Sequence, residues 1–313
     1  MHPEGAVAIA HQARAKEGEL GWDHSPRLPG FDTYVGKFFW GVYETMRKFL
    51  LALVVPLALT ACGTTYQVPD AGEDNTLQAR KMFAEARAMP ARAPLSSAAA
   101  ERRFNRVTAR VRPVGQKFCQ GLAAEQPNLN CDVDIAIDRD MEERNAYFTY
   151  KDGTPSIRIS MPMLRDTASD DEAAFILSHE YGHLLGRHIE KQKQQAIAGA
   201  IIMGVLVGAI AADAGDFNSG LVNAGVGIGA AAGTFAYSQT YELESDTLGT
   251  HIAYGAGYDP VKGAQFFARP EDERTEAGKL SFWGTHPPDE HRLATVLATV
   301  DQIEANIGLQ KVQ

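Results

Sequence analysis

Two histidines four residues apart, His179 and His183, sit inside the dense apolar run EAAFILSHEYGHLL, with Glu180 directly after the first. Residues i and i+4 share one face of a helix. The run therefore predicts a central, mostly buried helix that aims two imidazoles at one point. Glu180 is rotated from His179 by roughly 100° in helix geometry, which sets its carboxylate beside that point. This is the arrangement of an H-E-x-x-H metal site, with two imidazole ligands and one carboxylate base. The same five residues also suit an ordinary buried helix whose histidines make local hydrogen bonds.

A catalytic metal needs a third protein ligand. The stretch YELESD supplies Glu242 and Asp246, again four apart on one helical face. Glu242 can bind a metal, and Asp246 can accept from the outer N–H of a ligand histidine, fixing its tautomer. Glu244 is the rival carboxylate, but it points away from the Glu242–Asp246 face. Gly182 is unfavourable inside a helix by about 1 kcal/mol against alanine. Close approach of the helix bearing Glu242 would account for it.

With H-E-x-G-H at 179–183 and E-x-x-x-D at 242–246, the chain resembles gluzincin metallopeptidase family forty-eight. That family takes in HtpX-, OMA- and CAAX-type proteases and periplasmic lipoprotein peptidases. The resemblance runs over roughly residues 75–305 and extends to SIRISMPML, His188, GYDP and THPPDEHR. It implies a zincin-like fold and a zinc endopeptidase. His179, His183 and Glu242 would be ligands to one Zn2+ per chain, and Glu180 the catalytic residue. Glu180 would take the proton of the attacking water and return it to the leaving amine. The resemblance also places His286 near the metal. There it would either hydrogen-bond the oxyanion or fill the fourth ligand position in a resting state. Arg292 is a further residue of the same element, and His188 is expected to fix structure. The strand at 156–160 is expected to be an edge strand that takes extended substrate by strand addition.

The rest of the chain reads as mainly helical α+β with a small antiparallel sheet. Helices are expected over 76–90 and 97–118. Strands are expected where Val133, Ile135 and Ile137 alternate with Asp, over Ala146–Tyr150, and over Ser156–Ser160, with a hairpin turn at Lys151-Asp152-Gly153. Ser169 and Glu172 form a capping box for one helix running through residue 195. Another covers TFAYSQTYELESDTLGTHIAYGAG and stops at Gly255 or Gly257. Asp259-Pro260 starts a further helix, and the last spans about 288–307. The peptidase domain is thus read as 76–313. It carries a glycine-rich hydrophobic insert at 196–236, expected to be a helical hairpin that lies against the site or a membrane surface.

The net charge is −9, which argues against nucleic acid as a partner. The stretch MRKFLLALVVPLALTAC has a basic start, a short apolar core and a small-residue cleavage region, so 46–61 reads as a secretory signal. It is similar to a bacterial lipobox, with Cys62 as the lipidated residue, Gly63 suggesting the outer membrane, and 62–75 a polar tether. Residues 1–45 fit no signal and are expected to be a non-native or disordered extension, with translation starting at Met46. In an oxidising periplasm Cys119 and Cys131 would pair. These readings describe a lipid-anchored envelope peptidase acting on unfolded or misassembled polypeptides, with a homo-oligomer or the outer-membrane assembly machinery as further partners. A zinc-containing chaperone or assembly factor with little proteolysis, and a structural lipoprotein, are the competing readings.

Overall fold

The structure is a computed structural model. It describes residues 63–89, 93–125, 129–213, 238–268, 281–287 and 289–312, all within the unit Val55–Gln313. The expected extension, signal segment and lipidated Cys62 lie outside the described residues, as does the second limb of the insert.

The chain opens with α1 (Gly72–Arg87) and α2 (Ser97–Ala123), followed by β1 (Asp134–Asp138), β2 (Ala146–Lys151) and β3 (Thr154–Ser160). A short α3 (Met161–Asp166) leads to α4 (Asp170–Leu185), the helix of the first motif, and α5 (His188–Asp213) follows. The second motif lies on α6 (Ser238–Gly255). The chain ends with α7 (Pro260–Ala264), a 3-10 turn over Gln265–Ala268, α8 (Phe282–Thr285) and α9 (Glu290–Glu304).

Local chemistry explains the element ends. Ser169 caps α4, its Oγ accepting from Glu172 N at 3.2 Å, and Glu172 reaches back to the amide of Ala168. Asp170, Asp171 and Glu172 put negative charge at the positive end of the helix. The helix expected to continue to residue 195 stops at Gly186. Arg187 takes a left-handed φ of 56° and α5 starts afresh at His188. Gly257, at φ 77°, closes α6, with Tyr258 N donating to Ala253 O at 3.0 Å. Asp259 caps α7 by accepting from Lys262 N at 3.0 Å.

The sheet differs from expectation. It is mixed, in the order β1-β3-β2, with β2 antiparallel and β1 parallel to β3. The hairpin turn at Asp152 (φ 51°) and Gly153 (φ 80°) joins β2 to one side of β3. Its other side is taken by β1, in the register Asp134 to Ser156 through Asp138 to Ser160. Ile157 and Ile159 are fully buried, as suits a middle strand. The expectation that this strand is a free edge is therefore wrong: both its edges are filled, and the edge strands are β1 and β2.

α4 runs through the core, with Ala173 to Leu177, Tyr181 and Leu184 all fully buried. It crosses α6 at glycines from both helices. A Cβ at Gly182 would lie 2.6 Å from Ser245 O, and one at Gly249 would lie 2.9 Å from His179 N. The close approach expected from Gly182 is thus present. Cys119 and Cys131 are joined by an S–S bond with Cα atoms 5.6 Å apart, tying the end of α2 to the approach to β1.

Part of the expected tether is packed into the body. Tyr66 is buried and bridges to Lys311, Gln67 N donates to Gln310 O at 2.8 Å, and Val312 N donates to Thr65 O at 3.0 Å. The first limb of the insert is helical as the later part of α5. Among the described residues no helix is long and apolar enough to cross a membrane.

Candidate metal centre

The crossing of α4 and α6 brings the two motifs together. One donor atom each from His179, His183, Glu242 and His286 lies within 4.8 Å of all the others. His179 Nε2 is 3.1 Å from His183 Nε2 and 3.3 Å from Glu242 Oε2, and His183 Nε2 is 3.4 Å from Glu242 Oε1. Two imidazole nitrogens face each other beside a carboxylate. That donor set suits a cation of the zinc type, which favours nitrogen and oxygen ligands at a shared centre. The residues present fit such an ion.

Each ligand candidate is held from behind. Asp246 Oδ1 pairs with His179 Nδ1 at 2.8 Å, leaving Nε2 to face the centre. Arg292, one turn into α9 and 1% exposed, clamps Asp246 with Nε at 2.7 Å and Nη2 at 2.8 Å. The same guanidinium reaches Glu242 Oε2 at 3.2 Å and stacks over Phe267 with its central carbon 3.7 Å from the ring centre. His183 Nδ1 meets His188 Nδ1 at 2.8 Å, and His188 Nε2 meets Glu244 Oε2 at 3.0 Å. Glu244 does point away from Glu242, as the helix face dictates, and that is how it reaches His188.

Glu180 is 1% exposed, and neither carboxylate oxygen has a hydrogen-bond partner. His286 Nε2 approaches its Oε1 to 3.5 Å. Burial pushes the Glu180 carboxyl above its ordinary range, against the opposing charges of His286 and His179. A carboxylate so raised is a stronger base than an exposed one. Burial alone would lower the His179 ring, but its bonds to Asp246 and Glu242 prevail and raise it to about 9. Burial holds His183 well below its usual value. Glu242 is also buried, yet the charges of His286 and Arg292 keep it well below the usual carboxylate range.

His286 comes from the short segment between α8 and α9 and is 7% exposed. Its Nδ1 lies 2.8 Å from Glu242 Oε2 and 3.3 Å from His179 Nε2, and its ring stacks on Phe282 at 4.4 Å. A cavity of about 180 Å³ opens on the centre, lined by Tyr147, Phe148, Glu180, His183, Tyr241 and His286 among others. Tyr147 and Phe148 belong to β2, so the edge strand β2, not β3, borders the site.

Two features escaped the sequence reading. Glu244 supports His188, a link signalled only by the second carboxylate in ELESD. Tyr241 stacks on His188 with ring centres 4.5 Å apart.

The profile of peptidase family M48 matches residues 105–300. The chain is 27% identical over 146 residues to the beta-barrel assembly-enhancing protease of Yersinia pestis, covering 45% of this chain and 30% of that protein. It is 31% identical over 131 residues to the putative beta-barrel assembly-enhancing protease of Vibrio cholerae serotype O1, covering 40% and 26% respectively. The namesake in Escherichia coli strain K12 is 25% identical over 144 residues, covering 45% and 30%. The chain thus spans less than a third of the length of these curated relatives.

Proposed function

The chain belongs to peptidase family M48 and is a metallopeptidase, and from that premise we propose that it is a zinc-dependent endopeptidase of the bacterial cell envelope. The observation that carries this reading is the convergence of His179, His183 and Glu242 beside the buried Glu180. His179, His183 and Glu242 would hold one Zn2+. When bound, the ion would supply a Lewis acid for the scissile carbonyl and the attacking water. Glu180 takes the water's proton, an uptake its raised pKa favours, and passes it to the leaving amine. Asp246 and Arg292 hold His179 in the tautomer that presents Nε2.

Extended polypeptide adds to the edge of β2, whose Tyr147 and Phe148 line the cavity. That favours unfolded or unassembled chains over folded surfaces. The relatives' names, which refer to β-barrel assembly, support outer-membrane proteins or their assembly machinery as the targets. The signal at 46–61 and Cys62 support a lipid anchor facing the periplasm, and the Cys119–Cys131 bond suits that oxidising compartment. His286 serves as a fourth donor in the resting site. Its 2.8 Å and 3.3 Å approaches to Glu242 and His179 support that role over an outward-facing oxyanion donor.

The test is cleavage of unfolded casein by the purified protein, with and without the chelator 1,10-phenanthroline. Loss of cleavage on chelation and its return with stoichiometric zinc is expected. Cleavage indifferent to chelation would overturn the reading.

A further inference from the structure

Glu244 is fully buried, and its four close partners come from two separate parts of the chain. Oε1 accepts from the backbone amides of Thr65 at 2.6 Å and Tyr66 at 2.7 Å. Oε2 takes His188 Nε2 at 3.0 Å and lies 3.5 Å from Lys191 Nζ. A buried carboxylate is tolerated only where charge-assisted donors replace its water. Here two of them are main-chain groups of the segment Thr65–Tyr66.

The direction of the chain of bonds follows from the chemistry of each group. A carboxylate only accepts, so His188 donates from Nε2. Its Nδ1 then has a free lone pair, which takes the proton of His183 Nδ1 at 2.8 Å. His183 is left with an unprotonated Nε2 facing Glu242 and His179. The segment itself is fixed at its far side by Gln67 N to Gln310 O and Val312 N to Thr65 O, and by the buried Tyr66 ring.

We propose that the strap Thr65–Tyr66 is a working part of the metal site: its two amides hold Glu244, Glu244 orients His188, and His188 fixes the tautomer and direction of the ligand His183. This makes Glu244 and His188 positioning residues and the strap their support. In sequence the strap begins three residues after Cys62, so the proposed anchor point and the metal site are joined by almost no intervening chain. The inference rests on the zinc reading above.

The test measures zinc affinity of the full chain by chelator competition, together with the 15N shifts of the His183 and His188 rings. Three variants run beside wild type: Glu244→Gln, Thr65→Pro, which deletes one amide donor, and Gln67→Pro, which deletes a strap bond that does not touch Glu244. Removing support behind a ligand histidine typically weakens metal binding about 10–100-fold. Glu244→Gln and Thr65→Pro are each expected to weaken zinc binding at least about 10-fold. Both should also shift the His188 ring out of its Nε2–H form, while Gln67→Pro stays near wild type. Folding of each variant is checked by its near-UV circular dichroism. Folded Glu244→Gln and Thr65→Pro with wild-type affinity and ring shifts would overturn the inference while leaving the zinc reading intact. An equal loss in Gln67→Pro would overturn it in favour of general loosening. A wild-type chain that binds no zinc would overturn both.

Discussion

Gly182→Ala tests whether the site depends on how closely α4 and α6 cross. The new methyl carbon would lie 2.6 Å from Ser245 O, 2.8 Å from Ser245 Cα and 2.8 Å from Ser245 Oγ. Two of those atoms are backbone, so rotation of a side chain cannot relieve the clash. Carbon contacts settle near 3.5–4.0 Å, so the helices must separate by about 0.7–1 Å. Overpacking of this kind costs about 1–3 kcal/mol, against which alanine's better helix propensity returns about 1 kcal/mol. The net loss of stability is therefore modest, at about 0–2 kcal/mol. The effect on the site is larger, because His179 and His183 ride on one helix and Glu242 on the other. A displacement near 1 Å at a reacting centre can cost about 100-fold in rate. The assay pairs thermal unfolding with the rate of casein cleavage. Gly121→Ala, on α2 with nothing within 4 Å of the added carbon, is the control and should be neutral or slightly stabilising. A Gly182→Ala protein as active as wild type would refute the argument that this crossing sets the ligand geometry.

The remaining predictions concern stability. Replacing Cys119 and Cys131 by alanine opens a loop of sequence separation 12 and should cost about 3 kcal/mol by the chain-entropy account. The shift of the urea midpoint measures it, and reduction of the wild type should give the same shift. Burial lowers the His251 pKa from 6.5 to about 4. Below pH 6.5 the unfolded chain therefore takes up a proton that the folded ring resists. His251 leaves stability unaffected above that pH, and its presence erodes stability as pH falls from 6.5 towards 4. The slope is at most about 1.4 kcal/mol per pH unit, lessened by the ring's partial exposure. Urea midpoints across that range should fall more steeply for wild type than for His251→Phe; parallel curves would contradict the assignment.

How much of this could be read beforehand depends on the range of the interactions involved. The two ligand motifs are local, since four-residue spacing on a helix is enough to put His179 with His183 and Glu242 with Asp246. Gly182 betrayed the meeting of their helices because only a missing side chain permits it. Capping by Ser169 and Asp259 was legible for the same reason. The order of strands was not. The hairpin of β2 and β3 is local, but the parallel pairing of β1 on the far side of β3 depends on where the chain packs after residue 138. That error misplaced the edge strand bordering the site. The break at Gly186 and Arg187 was hidden by an unbroken run of good helix formers on both sides. It matters, because the turn is what swings His188 behind His183. Arg292 lies 46 residues from Asp246, and nothing in spacing reveals such a pairing. The strap at Thr65 and Tyr66 contributes only main-chain amides, so no side chain in the sequence advertises it.

The central claim is that the buried Glu180 does the proton transfer for peptide hydrolysis at this centre. The measurement that addresses it most directly compares zinc-loaded wild type with Glu180→Gln on unfolded casein, reading fragments by mass spectrometry and zinc content in parallel. The account predicts one zinc per chain in both proteins, internal cleavage by wild type, and none by the variant. Equal cleavage by the two proteins at equal zinc content would contradict it.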